Sequence, residues 1–155
     1  MRGRIVKSVA GEYLIELDGE LIVCTARGSF RHREITPLVG DMAEFERGGD
    51  RGVITALSQR KNAFIRPPVA NLDAMVIVAS LAIPVTEPFL IDRMAAIAHK
   101  SGCEPIICVN KNDLSSALPL YRLYSRAGYQ VFAVSAETGE GTDELAHALR
   151  GKISA

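Results

Sequence analysis

Pro67-Pro68 is the feature that most restricts how this chain folds. Proline lacks a backbone N–H and fixes φ, so two in succession end a helix and cannot sit in a central strand. The hydrophobic pattern differs on their two sides. Ahead of them, short β-rich runs are punctuated by tight-turn signals. Behind them, continuous apolar runs alternate with stretches of helical spacing. These periods predict two domains, residues 1–66 and 67–155, in a chain that is all-β first and α/β second.

In the first half, "RIVKSVAGEYLIELDGELIVCTAR" holds β-rich runs split by Asp18-Gly19. Asp-Gly between such runs marks a hairpin, because a type I′ turn needs positive φ at both central positions. "GDMAEFER" and "GVITALSQ" form a further pair around "GGD". With the opening strand ahead of Gly11, about five short strands are expected and no helix. That number suits a small barrel of the oligonucleotide-binding (OB) type. A small SH3-like barrel is the competing arrangement.

The second half reads strand, helix, strand, helix, strand, helix. "AMVIVASL", "EPIICVN" and "YQVFAVS" are apolar runs of the kind that parallel strands show when both faces are covered. Between them, "EPFLIDRMAAIAHKSG" places Leu90, Ile91, Met94 and Ile97 at helical spacing, with Pro88 in the first turn. "LPLYRLYSRAG" and "TDELAHALRG" predict two more helices, the last capped by Thr142. Three parallel strands with helices put ligands at the carboxyl ends of the strands.

Composition sets limits. Eighteen basic and eighteen acidic residues give zero formal charge, so bulk electrostatics do not announce DNA or another polyanion. No apolar run reaches the roughly 18 residues of a membrane span, and no secretory leader opens the sequence. Cys24, Cys103 and Cys108 show no metal-ligand or disulfide spacing and read as buried thiols. The expectation is a cytoplasmic protein with neither membrane nor DNA as partner. His99 and His147 fall on predicted helices, away from any nucleophile–base arrangement, and Met42, Met75 and Met94 read as core.

The strand-end rule brings Asn110, Lys111, Asn112 and Asp113 to the same rim as Ser135, Ala136 and Glu137. The chemistry of these two turns matches guanine. An ionised Asp113 accepts two parallel hydrogen bonds from N1–H and the 2-amino group, and adenine offers neither donor there. Asn110 is placed to tie the two turns together and Lys111 to lay its stem on the base. The backbone N–H near Ala136 is expected to meet the 6-keto oxygen, and Asn112 to point away. Asn and Asp are also ordinary turn residues after strands, so either piece alone fits a plain structural role.

"NKND" followed by "SAETGEG" is similar to the base-recognition pair of the P-loop GTPases, yet no G-x-x-x-x-G-K-[ST] occurs upstream. With "ARGSFR", "ITPLVGD", "RKNAFIRPPVANLDAMVIVAS", "LIDRM" and "LRGKISA", the chain resembles the N-terminal half of the circularly permuted bacterial GTPases of the ribosome small-subunit-dependent GTPase A type. The resemblance implies an OB-fold barrel, then the base-recognition part of a permuted GTPase domain. It further implies GTP or GDP as ligand and the small (30S) ribosomal subunit with its rRNA as partner. Mg²⁺ and a structural Zn²⁺ would belong to a phosphate-loop segment and a terminal domain beyond these residues. No catalytic residue is expected within the chain, which alone is expected to be inert. The strand "AMVIVAS" is expected to show an unpaired edge that promotes self-association. A stand-alone, non-enzymatic RNA- or ribosome-binding module with a vestigial guanine site is the alternative.

Arg27, Arg31, His32 and Arg33 crowd one segment around Phe30, and Arg60, Lys61 and Arg66 lie near the domain junction. Cations with an interleaved aromatic suit RNA, the cations meeting phosphate and the ring stacking on a base. Together with the family resemblance this predicts RNA contact through Arg27, Phe30, Arg31, Arg33 and Lys61. The plainer reading is a solvated loop in which arginines pair with Glu34 or Glu46 and Phe30 fills the barrel.

Overall fold

The computed structural model describes residues 1–28, 30 and 35–155. Two compact units divide between Asn71 and Leu72. The expected division at residue 66 falls earlier. Residues 67–71 are held by the first unit, where Ala70 N–H donates to Val39 O (2.8 Å) and Asn71 Nδ2 to Gly40 O (3.0 Å).

The first unit contains β1 (Arg2–Val9), β2 (Glu12–Leu17), β3 (Glu20–Ala26), β4 (Met42–Gly48) and β5 (Arg51–Leu57). They close into a barrel in the order β1-β2-β3-β5-β4. Neighbours along the chain pair antiparallel, but β3 and β5 pair parallel, Val23 opposite Arg51. That parallel seam is what a simple antiparallel meander cannot make, and it gives the Greek-key barrel of the OB type. Asp18 (φ 51°) and Gly19 (φ 84°) form the expected turn. Ala10 (φ 50°) and Gly11 (φ 85°) form a second, which no turn-forming residue before the glycine had signalled.

Alternate residues face inward. Ile5, Tyr13, Ile15, Ile22, Cys24, Ala43, Phe45 and Ile54 fill the barrel, and Phe30 joins them from the connecting segment. Burying each of the larger apolar side chains stabilises the unit by about 1.5–3 kcal/mol. Just ahead of β4, Asp41 is completely buried. Its carboxylate accepts from Leu38 N (2.8 Å) and from Arg60 Nε (2.8 Å) and Nη2 (2.7 Å). Arg60 Nη2 also donates to Thr36 O (2.7 Å). Arg60 is therefore committed to a structural fork and is not a free surface cation. The Asp41 hydrogen bonds raise its pKa, outweighing the burial that disfavours its charge.

The second unit contains β6 (Ala74–Ala79), α1 (Pro88–Lys100), β7 (Glu104–Val109), α2 (Leu118–Arg126), β8 (Gln130–Ala133) and α3 (Thr142–Leu149). The three strands form a parallel sheet in the order β6-β7-β8. β7 lies in the middle, and Pro105–Val109 are buried throughout, as its continuous apolar run requires. α1 buries Ile91, Ala95 and Ala98, while Leu90 and Ile97 stay exposed. α2 buries Leu120 and Tyr124. The Tyr124 hydroxyl lies 2.9 Å from Asp92 Oδ1 and 3.1 Å from Pro88 O, which ties α2 to α1. Thr142 does not cap α3. Gly141, at φ 71°, holds the N-cap position, and Thr142 Oγ1 donates back to Gly139 O (2.7 Å).

The edge of β6 is partly covered. Val76 N–H donates to Ala155 O (2.8 Å), Asp73 N–H to Ile153 O (2.7 Å), and Ser154 bridges Ala74 in parallel. Val78 is 62 % exposed beyond that pairing. The edge expected to be unpaired is thus paired from Asp73 to Val76.

Candidate functional site

The site begins where β7 ends. Asn110 N–H donates to Ala79 O (2.8 Å), which extends the ladder by one residue. Lys111 then adopts φ 65° and turns the chain out of the sheet. Asn110 Oδ1 accepts from Lys111 N (2.8 Å) and from Ala136 N (3.0 Å). One carbonyl oxygen thus ties the turn after β7 to the turn after β8. Two backbone donors fix the orientation of this amide, and its Nδ2 has no hydrogen-bond partner among the described residues.

The second turn is built on Ser135, which is fully buried. Its N–H donates to Glu140 O (2.9 Å), its carbonyl accepts from Gly139 N (2.8 Å), and its Oγ accepts from Thr138 N (3.2 Å). Gly141 closes the turn against β8. A Cβ there would sit 2.2 Å from Ala133 O. No larger residue fits that approach without moving the strand.

The sequence-predicted residues fall into distinct roles. Asp113 is exposed, and its carboxylate has no hydrogen bond or ion pair among the described residues. Lys111 Nζ donates to Ile83 O (2.6 Å), so its stem is stretched across the rim towards the loop after β6. The Ala136 N–H, expected to be free for a keto oxygen, is engaged by Asn110. Glu137 is exposed and takes no part in the ties between turns. Asn112 is engaged within the protein. Its Nδ2 donates to Glu140 Oε1 (3.2 Å) and its Oδ1 accepts from Ala117 N (2.9 Å). Nothing about Asn112 alone marked it, because its partner lies 28 residues further on.

In the barrel, Phe30 is 8 % exposed and packs in the core, so its ring is not presented for stacking on a base. Burial in the barrel outweighs exposure for a side chain of that size. Arg27 Nη2 lies 3.5 Å from Glu46 Oε2 in an exposed pair. Such a pair contributes little and leaves the guanidinium accessible. Arg31 and Arg33 lie outside the described residues. Lys61 is exposed, and its backbone N–H donates to Asn71 Oδ1 (3.0 Å). An open cleft of about 670 Å³ is lined by Tyr13, Thr25, Arg27, Phe30, Ile35 and Pro37 among others. Among the described residues no three His, Cys, Asp or Glu side chains gather as a metal site would need.

A closed five-stranded barrel followed by a parallel sheet with Asn-Lys-Asn-Asp and Ser-Ala turns at one rim is the build of a circularly permuted GTPase. The chain belongs to the RsgA GTPase family: residues 57–155 match that family, and residues 2–54 match the RsgA N-terminal domain. It is 40 % identical over 158 residues to the small ribosomal subunit biogenesis GTPase RsgA of Caldanaerobacter subterraneus subsp. tengcongensis, covering 99 % of this chain and 54 % of that protein. The chain spans about half the length of the curated relatives it matches. Among solved structures, YjeQ from Thermotoga maritima superposes with a TM-score of 0.82 at 34 % identity, over 99 % of this chain and 58 % of that one. YloQ, described as a circularly permuted GTPase, superposes with a TM-score of 0.72 at 32 % identity, over 96 % of this chain and 55 % of that one.

Proposed function

We propose that this chain supplies the guanine-recognition half and the RNA-binding barrel of a factor that binds and hydrolyses GTP during maturation of the small ribosomal subunit. The observation that carries it is the double acceptance by Asn110 Oδ1, from Lys111 and Ala136, with the Asp113 carboxylate left uncommitted beside it. Two turns held at a fixed spacing, with a free acceptor-only group, suit a ligand edge that presents two adjacent donors. Guanine has that edge. An adenine in its place leaves the carboxylate desolvated and unpaired, a loss of several kcal/mol. Asn110 Nδ2 is available for the opposite edge of the purine, and the Lys111 stem, fixed at both ends, offers a flat apolar strip for its face. When bound, GTP supplies the phosphoryl group that is hydrolysed. These residues bind and orient its base only. The exposed cations Arg27 and Lys61 meet rRNA phosphates in this reading, in a cytoplasmic setting, and the sequence adds Arg31 and Arg33 to the same role.

Substituting Asp113→Asn tests the assignment. An amide in place of the carboxylate presents a donor to C2 of the purine, which favours xanthine over guanine. GDP affinity is expected to fall at least about tenfold relative to xanthosine diphosphate in equilibrium titrations. Unchanged preference for guanine in the variant overturns the role of Asp113.

A further inference from the structure

We propose that Asn112 and Glu140 form a second latch that sets the width of the base slot, with Asn112 as a positioning residue and not a ligand contact. The proposal rests on the guanine assignment above. A slot made from two turns on different strands needs their separation fixed more than once. Backbone bonding holds the strand ends through Asn112 N–H to Val134 O, but beyond it a single side-chain tie leaves the turn tips able to rotate. Asn110 supplies one tie. Asn112 supplies another across the same gap, from its Nδ2 to Glu140 Oε1 at 3.2 Å.

Both ends of this second tie are anchored. Asn112 N–H donates to Val134 O (3.0 Å), and Asn112 Oδ1 accepts from the N–H of Ala117 (2.9 Å). Ala117 is the N-cap residue of α2, and Asn112 Oδ1 satisfies its backbone N–H, one of the donors that a helix start leaves without an intrahelical partner. At the other end, Glu140 O accepts from the buried Ser135, and Gly141 is pressed against Ala133 O. The Glu140 backbone therefore cannot drift. Position 112 needs an acceptor for the helix and a donor for the carboxylate on the same short side chain. Asparagine offers both; aspartate lacks the donor, and serine is too short to span both partners.

The test uses the 155-residue chain in three forms: Asn112→Asp, Glu140→Gln, and the two together. Asn112→Asp keeps the acceptor for Ala117 N–H but sets two carboxylates against each other. Hydrogen exchange at the Ser135 amide, measured without nucleotide, is expected to rise about fivefold, and GDP affinity to fall by a similar factor. The double variant reverses the polarity of the bond, with the amide introduced at position 140 donating to the carboxylate introduced at position 112. It is expected to return both readouts to within about twofold of the parent. A double variant no better than the worse single one overturns the latch, as does an Asn112→Asp variant whose Ser135 exchange and GDP affinity match the parent. Failure of the guanine assignment shows separately, as a parent chain that does not prefer GDP over ADP while the exchange pattern still follows the latch.

Discussion

Replacing Asp41 by Asn removes one charge and almost no volume, and the structure gives the size of the effect. Asp41 is 0 % exposed, and its two oxygens take three donors: Leu38 N, Arg60 Nε and Arg60 Nη2. An amide retains one acceptor and turns an NH₂ towards groups that are themselves donors. It also leaves the Arg60 guanidinium without its counter-charge. Breaking one side of a buried ion pair costs about 3–5 kcal/mol. The Arg60 side chain is 28 % exposed, so water rehydrates part of the orphaned cation and the lower end, about 3 kcal/mol, applies. For a unit of this size each kcal/mol moves the midpoint by about 4–8 °C, so the barrel should melt at least about 12 °C lower. Arg60→Met should be worse, near the upper end of that range, because the group it orphans is the fully buried one. Native-state hydrogen exchange at Ile5, Ile15 and Ile54 reports the barrel separately from the α/β unit. A loss under about 1 kcal/mol for Asp41→Asn, or an Arg60→Met variant milder than it, refutes the argument.

Two further predictions concern the α/β unit and the barrel surface. Tyr124 has its pKa pushed up to about 12, first by burial and then by its bond to Asp92. Its folded pKa exceeds the unfolded value near 10, so its contribution is intact below pH 10 and is lost as pH rises from 10 to about 12. An alkaline titration followed by near-ultraviolet absorbance should show a tyrosinate step near pH 12 that Tyr124→Phe abolishes. In the barrel, Arg27, Arg31 and Arg33 changed together to Glu should weaken binding to small ribosomal subunits and flatten its salt dependence, read by sedimentation across a salt series. Binding unchanged at physiological salt removes the RNA role of this segment.

The parts of the molecule legible in the sequence are those set by neighbours along the chain. Asp18-Gly19 announced its hairpin because both residues tolerate positive φ, and the run "EPIICV" announced a strand covered on both faces. Ala10-Gly11 makes the same kind of turn but gave no sign, since alanine has no turn preference. α1 was read from its large residues; of these Ile91 is buried as expected, while Leu90 and Ile97 stay exposed and Ala95 and Ala98, which no large-residue spacing marks, complete the packed face. At the site, the tie by Asn110 was foreseeable because two turn motifs, "NKND" and "SAETG", follow neighbouring parallel strands and so meet at one rim. The engagement of Ala136 N–H by that same oxygen was not, because backbone donors carry no signature in a sequence. Asp41 with Arg60, and Asn112 with Glu140, are pairs made by tertiary closure, and each member looks like an ordinary surface residue until the fold brings its partner.

The barrel joins itself along two seams. One brings Arg2–Arg4 of β1 to Met42–Glu44 of β4, and the other brings Val23–Ala26 of β3 to Arg51–Ile54 of β5. The hairpins between them zip locally, on the microsecond scale. The seams join segments that are distant in the chain, and their loop-closure entropy must be met before any hydrogen bond across them is gained. Contact order thus predicts that substitutions along the two seams slow the folding of this half more than substitutions in its turns do.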